Sequence, residues 1–343
     1  ARAMPAAPTR RRPLVLSPVN PLGAATTIWF TSYKADGTHR WTTPWPVEPN
    51  VDRPWVRAGA ENQVFIGFNT GSATDFYAST DGGRTWDGNV IPPHQFPCPL
   101  GNLGQGGNRS ELYVVAPCVS GNAIDSLKLW TSHDSGKTWD EGEKVPMPDL
   151  PFKKSDGPGL ELMNPPVGDA AGNLYVPFTH ALDAKNQQSA VFVARRATDG
   201  TWTQTQVSTA GLVHLPWGAA ANTGQAAFAW YQSDGTADNE TKAAWRLMSA
   251  ASVDADGATP HYQTTVADPA VLWNGTFGRS LGDFIESDFT PDGRFVVVYA
   301  HRAPPTSVAG QAMSGKLTIR FVSSDGMLDL APLKFLNGPH PVK

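Results

Sequence analysis

The side chains best equipped for chemistry in this 343-residue chain are carboxylates, arginines, one histidine and several tryptophans, most of them just ahead of an apolar run. Asp52, Asp75, Asp283 and Glu286 are the candidate acids and bases. Arg53, Trp55, Asn102, Glu161, Asn164, His214, Trp217, Arg279 and Phe284 are the candidate substrate contacts. Aromatic faces stack on pyranose rings, a guanidinium grips a carboxylate at two points, and carboxylates bind hydroxyls or act as acid, base or nucleophile. The combination suits a glycan. It does not suit a metal. The eight histidines show no His-x-His or His-Glu-x-x-His spacing, and Cys98 and Cys118 lack the usual Cys-x-x-Cys knuckle. No cofactor is expected. Cys98 and Cys118 flank a strand-sized stretch and a Gly-rich turn, so a disulfide is expected, with two buried thiols as the alternative.

Such residues need a scaffold of many short strands, and the composition supplies one. There are 33 Gly, 30 Pro and 12 Trp, with only 17% charged residues, and helical periodicity is nearly absent. The formal net charge of −4 leaves no basic stripe to displace counterions, which argues against nucleic acid as a partner. Residues 1–13 hold Arg10-Arg11-Arg12 in an Ala/Pro-rich setting and are expected to form a disordered arm. The apolar run after it is too short and too broken for a signal core, and none approaches the roughly 18 residues of a membrane helix, so no membrane insertion is expected.

The scaffold repeats. Ser79–Trp86 and Ser132–Trp139 both read S-x-D-x-G-x-T-W, 53 positions apart. Each lies between strand-like runs, as a hairpin turn would. Its Asp can accept the N–H groups of its own loop, its Gly can take positive φ, and its Trp can cover a seam. Weaker copies sit at Asp36, Asp199, Asp256 and Asp325, which makes six units. Apolar strands recur between them at Val64–Phe68, Leu112–Val115, Leu174–Phe178, Ala226–Trp230 and Phe295–Tyr299, and Pro54, Pro165 and Pro216 fall near one register, with Trp55 and Trp217 following. The first unit shows no clear inner strand ahead of Thr26, so the two chain ends are expected to share a blade.

These turns resemble the Asp boxes of sialidase-like β-propellers. Arg53-Pro54 resembles the Arg-Ile-Pro opening of bacterial sialidases, Asn164–Val176 their Asn-Pro segment, and Asp283–Tyr299 the blade that carries their nucleophile. The resemblance implies an all-β fold: a single six-bladed β-propeller over 14–343, with four-stranded antiparallel blades. It places the inner-strand starts (Asp52 to Trp55, Asn102, Glu161, Asn164, His214, Trp217, Asp283 to Glu286) around the mouth, and the boxes at the outer edge of the opposite face.

The sequence also departs from that family. Phe284 stands where the sialidase Tyr should be and Ala300 where its Glu partner should be, and phenylalanine has no nucleophilic oxygen. The expectation is therefore a secreted, carbohydrate-active propeller other than a sialidase: a glycoside hydrolase using the mouth carboxylates or, alternatively, a non-catalytic glycan- or protein-binding propeller. A scaffold propeller of an extracellular assembly is the third reading. Sequons stand at Asn108, Asn239 and Asn274.

Overall fold

The computed structural model describes residues 13–16, 27–33, 38–46, 51–60, 62–70, 74–90, 98, 101–107, 110–120, 123–149, 165–277, 281, 285–290, 292–302, 306–308, 311–313 and 317–324. Among these the fold is all-β, and the one helical segment is a 3-10 stretch at Ala237–Lys242. Two compact units are distinguished: Ala1–Gln105 with Arg109–Cys118 and Lys128–Glu143, and Gly106–Asn108 with Val119–Leu127 and Lys144–Lys343.

The first unit opens on a sheet of Pro13–Leu16, Thr27–Tyr33 and His39–Pro46. An inner strand therefore does precede Thr26, with Leu14 opposite Thr31. It escaped the pattern because four residues are too few to show a period. A proline is tolerated as the first residue of such a strand. The expected arm otherwise lies outside the described residues, as does the chain end that would share a blade. A four-stranded antiparallel meander follows: Val51–Ala58, Val64–Thr70, Thr74–Ser79 and Asp87–Val90. Another runs Asn102–Gln105, Leu112–Ser120, Ala123–Ser132 and Glu143–Val145. Cys98 and Cys118 form a disulfide.

The second unit repeats the pattern. One meander is Val167–Gly168, Leu174–Ala181, Ser189–Arg196 and Trp202–Gln206. The next is Leu212–Ala220, Ala226–Ser233, Ala244–Ser252 and Gln263–Asn274. Glu286–Phe289, Phe295–Arg302 and Leu317–Ser323 form a three-stranded sheet, with a small hairpin of Thr306–Val308 and Gln311–Met313.

Each recurrent apolar run is the second strand in chain order of its group of strands. Leu174–Ala181 and Ala226–Ser233 are buried at every position, which is why they read as continuous apolar runs rather than alternating ones. Tyr175, Val191, Val193, Val213, Phe228 and Trp230 join these two sheets in one core.

A buried carboxylate pins the same two sheets. Asp169 is fully buried in the turn before Leu174. Its Oδ1 accepts the N–H groups of Ala171, Gly172 and Asn173 at 3.0 Å each. Its Oδ2 accepts Asn173 Nδ2 at 2.9 Å, the Tyr175 hydroxyl at 3.0 Å and, from the next sheet, the Gly224 N–H at 2.9 Å. Burial, together with the charge of Asp169, pushes the Tyr175 hydroxyl well up, so it stays protonated and donates.

The two S-x-D-x-G-x-T-W turns are near-copies in space as in sequence. In the first, the Ser79 hydroxyl donates to Asp81 Oδ1 at 2.8 Å and accepts the Gly83 N–H at 2.8 Å, while Asp81 takes the Thr85 N–H at 2.9 Å and its hydroxyl at 2.7 Å. In the second, Ser132, Asp134, Gly136 and Thr138 repeat those contacts at 2.9, 2.8, 2.9 and 2.7 Å. Gly136 is required twice over: its φ is +85°, and a Cβ there would lie 2.2 Å from the Phe76 ring. Asp199 keeps a reduced form, accepting the Thr201 N–H at 2.9 Å. The expectation at Asp256 is corrected by two residues. Asp254 holds that turn, accepting the Ser252 hydroxyl at 2.7 Å and the His261 N–H at 3.0 Å. The Ser-x-Asp spacing, rather than the Asp-Gly pair, sets the carboxylate in reach of its donors. Asp36 and Asp325 lie outside the described residues.

Candidate functional site

Two first strands begin with the same device. Val51-Asp52-Arg53-Pro54-Trp55 and Val213-His214-Leu215-Pro216-Trp217 share the pattern Val-x-x-Pro-Trp. In the first strand Asp52 pairs with Asn69 and Trp55 with Gly67, so three steps on one strand face two on its partner. The second strand does the same, with His214 opposite Tyr231 and Trp217 opposite Ala229. One extra residue in a strand is a β-bulge, which bends the chain, re-aims a side chain, and gives a proline without an N–H a place to sit. Leu215 carries the strain of this turn, with φ at +52°.

The bulge also decides the tryptophans. Trp55 and Trp217 are only 3% and 2% exposed, each opposite a small residue. They were expected as sugar-stacking faces and instead pack in the core. The same bulge that interrupts the ladder after residues 52 and 214 fixes the Trp three positions later.

His214 is half-buried and held from two sides. Its ring lies 4.3 Å from that of Phe277 at 14°, and 5.3 Å from that of Trp245. Phe277 is in turn set by the loop between the second and third strands. Its N–H donates to Glu240 Oε1 at 2.8 Å, Gly275 N–H donates to Ala243 O at 2.8 Å, and Trp245 Nε1 donates to Gly275 O at 2.7 Å. That loop is also tied to the preceding sheet, where Gln187 Nε2 donates to Asp238 Oδ1 and Asp238 N–H to Gln187 Oε1, both at 3.2 Å. Beneath Phe277 lies Tyr231, ring to ring 5.5 Å, whose hydroxyl accepts the Ala300 N–H at 2.9 Å. Burial pushes that hydroxyl up, so it too remains protonated. The result is an aromatic cluster of Trp245, Phe277 and Tyr231 packed around the half-buried His214.

In the first unit, Asp52, Asn69 and Thr74 form a cross-strand row, with Asp75 one position along. Asn69 is fully buried. Its Oδ1 accepts the Thr74 hydroxyl at 3.0 Å, and its Nδ2 has no partner among the described residues. Asp75 is half-buried on Thr74–Ser79. Asn102 heads its strand but is buried, with Nδ2 donating to Val115 O at 3.3 Å, so it serves the sheet. Glu286 heads Glu286–Phe289 and is exposed. Asp52 and Arg53 lie in their strand as expected, while Glu161, Asn164, Arg279, Asp283 and Phe284 lie outside the described residues.

Sequence reading missed Phe277 and Trp245, because both are buried aromatic residues and nothing local marks them as neighbours of His214. It also missed a polar knot in which Asp268 accepts the Tyr299 hydroxyl at 2.5 Å and the Ala270 N–H at 2.9 Å, with Arg320 at 3.7 Å.

No known family profile and no curated protein matches the chain. Solved structures do. A protein of unknown function from Dyadobacter fermentans DSM 18053 superimposes with a TM-score of 0.55 at 14% identity, over 89% of this chain and 85% of that one. The Trypanosoma rangeli sialidase in complex with sialic acid gives 0.52 at 14% identity, over 91% of this chain and 51% of that one. An ulvan lyase of a polysaccharide lyase family gives 0.50 at 11% identity, over 88% and 72%. At such identities the likeness speaks for the fold alone: the chain has a sialidase-like β-propeller fold.

Proposed function

We propose that this chain is a carbohydrate-active propeller that works outside the cytoplasm: residues 14–343 closed as one six-bladed ring, with the Ser79–Trp86 and Ser132–Trp139 turns as Asp boxes. In this reading it is a glycoside hydrolase whose acid and base come from Asp52, Asp75, Asp283 and Glu286. Arg53, Glu161, Asn164, His214, Arg279 and Phe284 contact the sugar. The observation that carries the reading is the repeated bulge, a costly backbone device that sets Asp52 and His214 at matching positions on two first strands. Two proteins of similar fold, a sialidase and an ulvan lyase, act on carbohydrate and support the same class. The Cys98–Cys118 disulfide supports an oxidising compartment.

The test begins with a glycan array on the full chain, followed by product analysis on each hit. Glu286→Gln and Asp75→Asn are then compared with the parent. General acid–base groups contribute on the order of 100- to 10,000-fold, so at least one variant should lose turnover on that scale while still binding. Binding with no product after long incubation leaves the non-catalytic glycan-binding reading, which Phe284 at the nucleophile position favours. An array with no hits rejects both.

A further inference from the structure

The end of the sheet that carries His214 holds a second feature. Register runs from Val213 through Gln232 to Arg246, and from Trp245 to Trp273, so Trp273 on the outer strand shares that end. The Trp273 indole is locked. Its Nε1 donates to Thr276 O at 2.9 Å across a turn in which Gly275 has a φ of +117°. Above the ring, 5.4 Å from its centroid, lies the guanidinium of Arg302, the last residue of Phe295–Arg302 in the neighbouring sheet.

Among the described residues Arg302 meets no carboxylate, and its Nε is buried without a hydrogen-bond partner. Two acids among the described residues nearby are already engaged. Asp268, on the strand of Trp273, is taken by Tyr299, Ala270 and Arg320, and Glu240 by the Phe277 N–H. His301 beside it is held below its usual range by burial and then by the charge of Arg320. A planar cation stacked on an indole, with no carboxylate partner among the described residues, is arranged to receive an anion that also offers a flat apolar face.

We propose that Arg302 and Trp273 form an anion-recognising subsite for an acidic saccharide unit, one bearing a carboxylate or a sulfate ester. The inference rests on the carbohydrate reading above and adds the substrate class. The subsite is separate from the bulged strand starts, since its residues come from the outer strand of one sheet and the second strand of the next.

The full chain is titrated with uronate trisaccharides and their methyl esters, and with sulfated and desulfated trisaccharides, following tryptophan fluorescence. Parent, Arg302→Gln, Arg302→Lys and Lys185→Gln are compared, and thermal melts confirm folding. The parent should bind an acidic form on the order of 10- to 100-fold more tightly than its neutral partner, the value of a charge-assisted pair. Arg302→Gln should erase that preference while leaving neutral-form binding intact. Arg302→Lys should keep part of it, and Lys185→Gln, which removes an exposed positive charge elsewhere, should keep all of it. Equal binding of acidic and neutral forms by the parent, or an unchanged preference in Arg302→Gln, overturns the subsite. Inorganic phosphate or acetate that binds as tightly as the acidic trisaccharides also overturns it, as a bare anion site. If neutral glycans bind and turn over without discrimination, only this inference fails. If no glycan binds at all, the carbohydrate reading fails with it.

Discussion

Replacing Asp169 with asparagine is the severest single-atom test of how this fold is held. The change keeps shape and volume but exchanges one acceptor oxygen for an NH2 group and removes the charge. Oδ1 can still serve the three turn N–H groups. The new amide then faces three donors at once: Asn173 Nδ2, the Tyr175 hydroxyl and Gly224 N–H. The Tyr175 hydroxyl can rotate to accept, which recovers one bond. Two buried donors stay opposed, and each unmet partner of a charged group costs about 1.5–3 kcal/mol. The bonds share one network and do not add fully, so about 3–5 kcal/mol is expected. With each kcal/mol worth roughly 2 °C in a large domain, the melting point should fall by about 6–10 °C. The assay is a reversible thermal or urea melt at pH 7 followed by far-UV circular dichroism. The Gly224 contact joins two sheets, so hydrogen exchange at the 221–225 turn should accelerate along with that at 170–173. An Asp169→Asn variant that melts within about 2 °C of the parent would refute the reasoning.

Two further predictions concern the repeated turns. Gly136→Ala places a Cβ 2.2 Å from the Phe76 ring at a φ of +85°, whereas Gly82→Ala at +77° meets nothing within 4 Å. The first should cost about 2–4 kcal/mol from overpacking plus backbone strain and the second about 1 kcal/mol, and equal losses in chemical denaturation would contradict the packing argument. Asp134 is lowered to about 2, first by the Thr138 hydroxyl, then by the Thr138 N–H, with burial opposing and smaller help from Ser132 and Lys137. A depressed folded-state value means stability is present above the unfolded value near 3.8 and lost as pH falls toward 2. Asp134→Asn should therefore be less stable than the parent at pH 6, with the gap closing between about pH 4 and 2, and a gap independent of pH would reject the assignment.

What could be read in the sequence was whatever a local pattern controls. The S-x-D-x-G-x-T-W turns are closed by bonds within six residues, so their chemistry was visible in the spacing alone. The second strands are buried on both faces and announced themselves as apolar runs. The Cys98–Cys118 bridge followed from the stretch between two cysteines. Where the pattern was thin the reading slipped, as at Pro13–Leu16, too short for a period, and at Asp256, where the Asp-Gly pair outweighed the Ser-x-Asp that binds the turn.

Tertiary structure alone decided which polar and aromatic residues meet. Trp55 and Trp217 looked like sugar platforms until the bulge turned them into the core, because a one-residue register shift reverses a side chain's face. Phe277 reaches His214 from 63 positions away, Gly224 reaches Asp169 from 55, and Arg302 comes to rest on Trp273 from the neighbouring sheet. No period in the sequence encodes such meetings. They arise from packing between sheets, and the candidate sites are built of them.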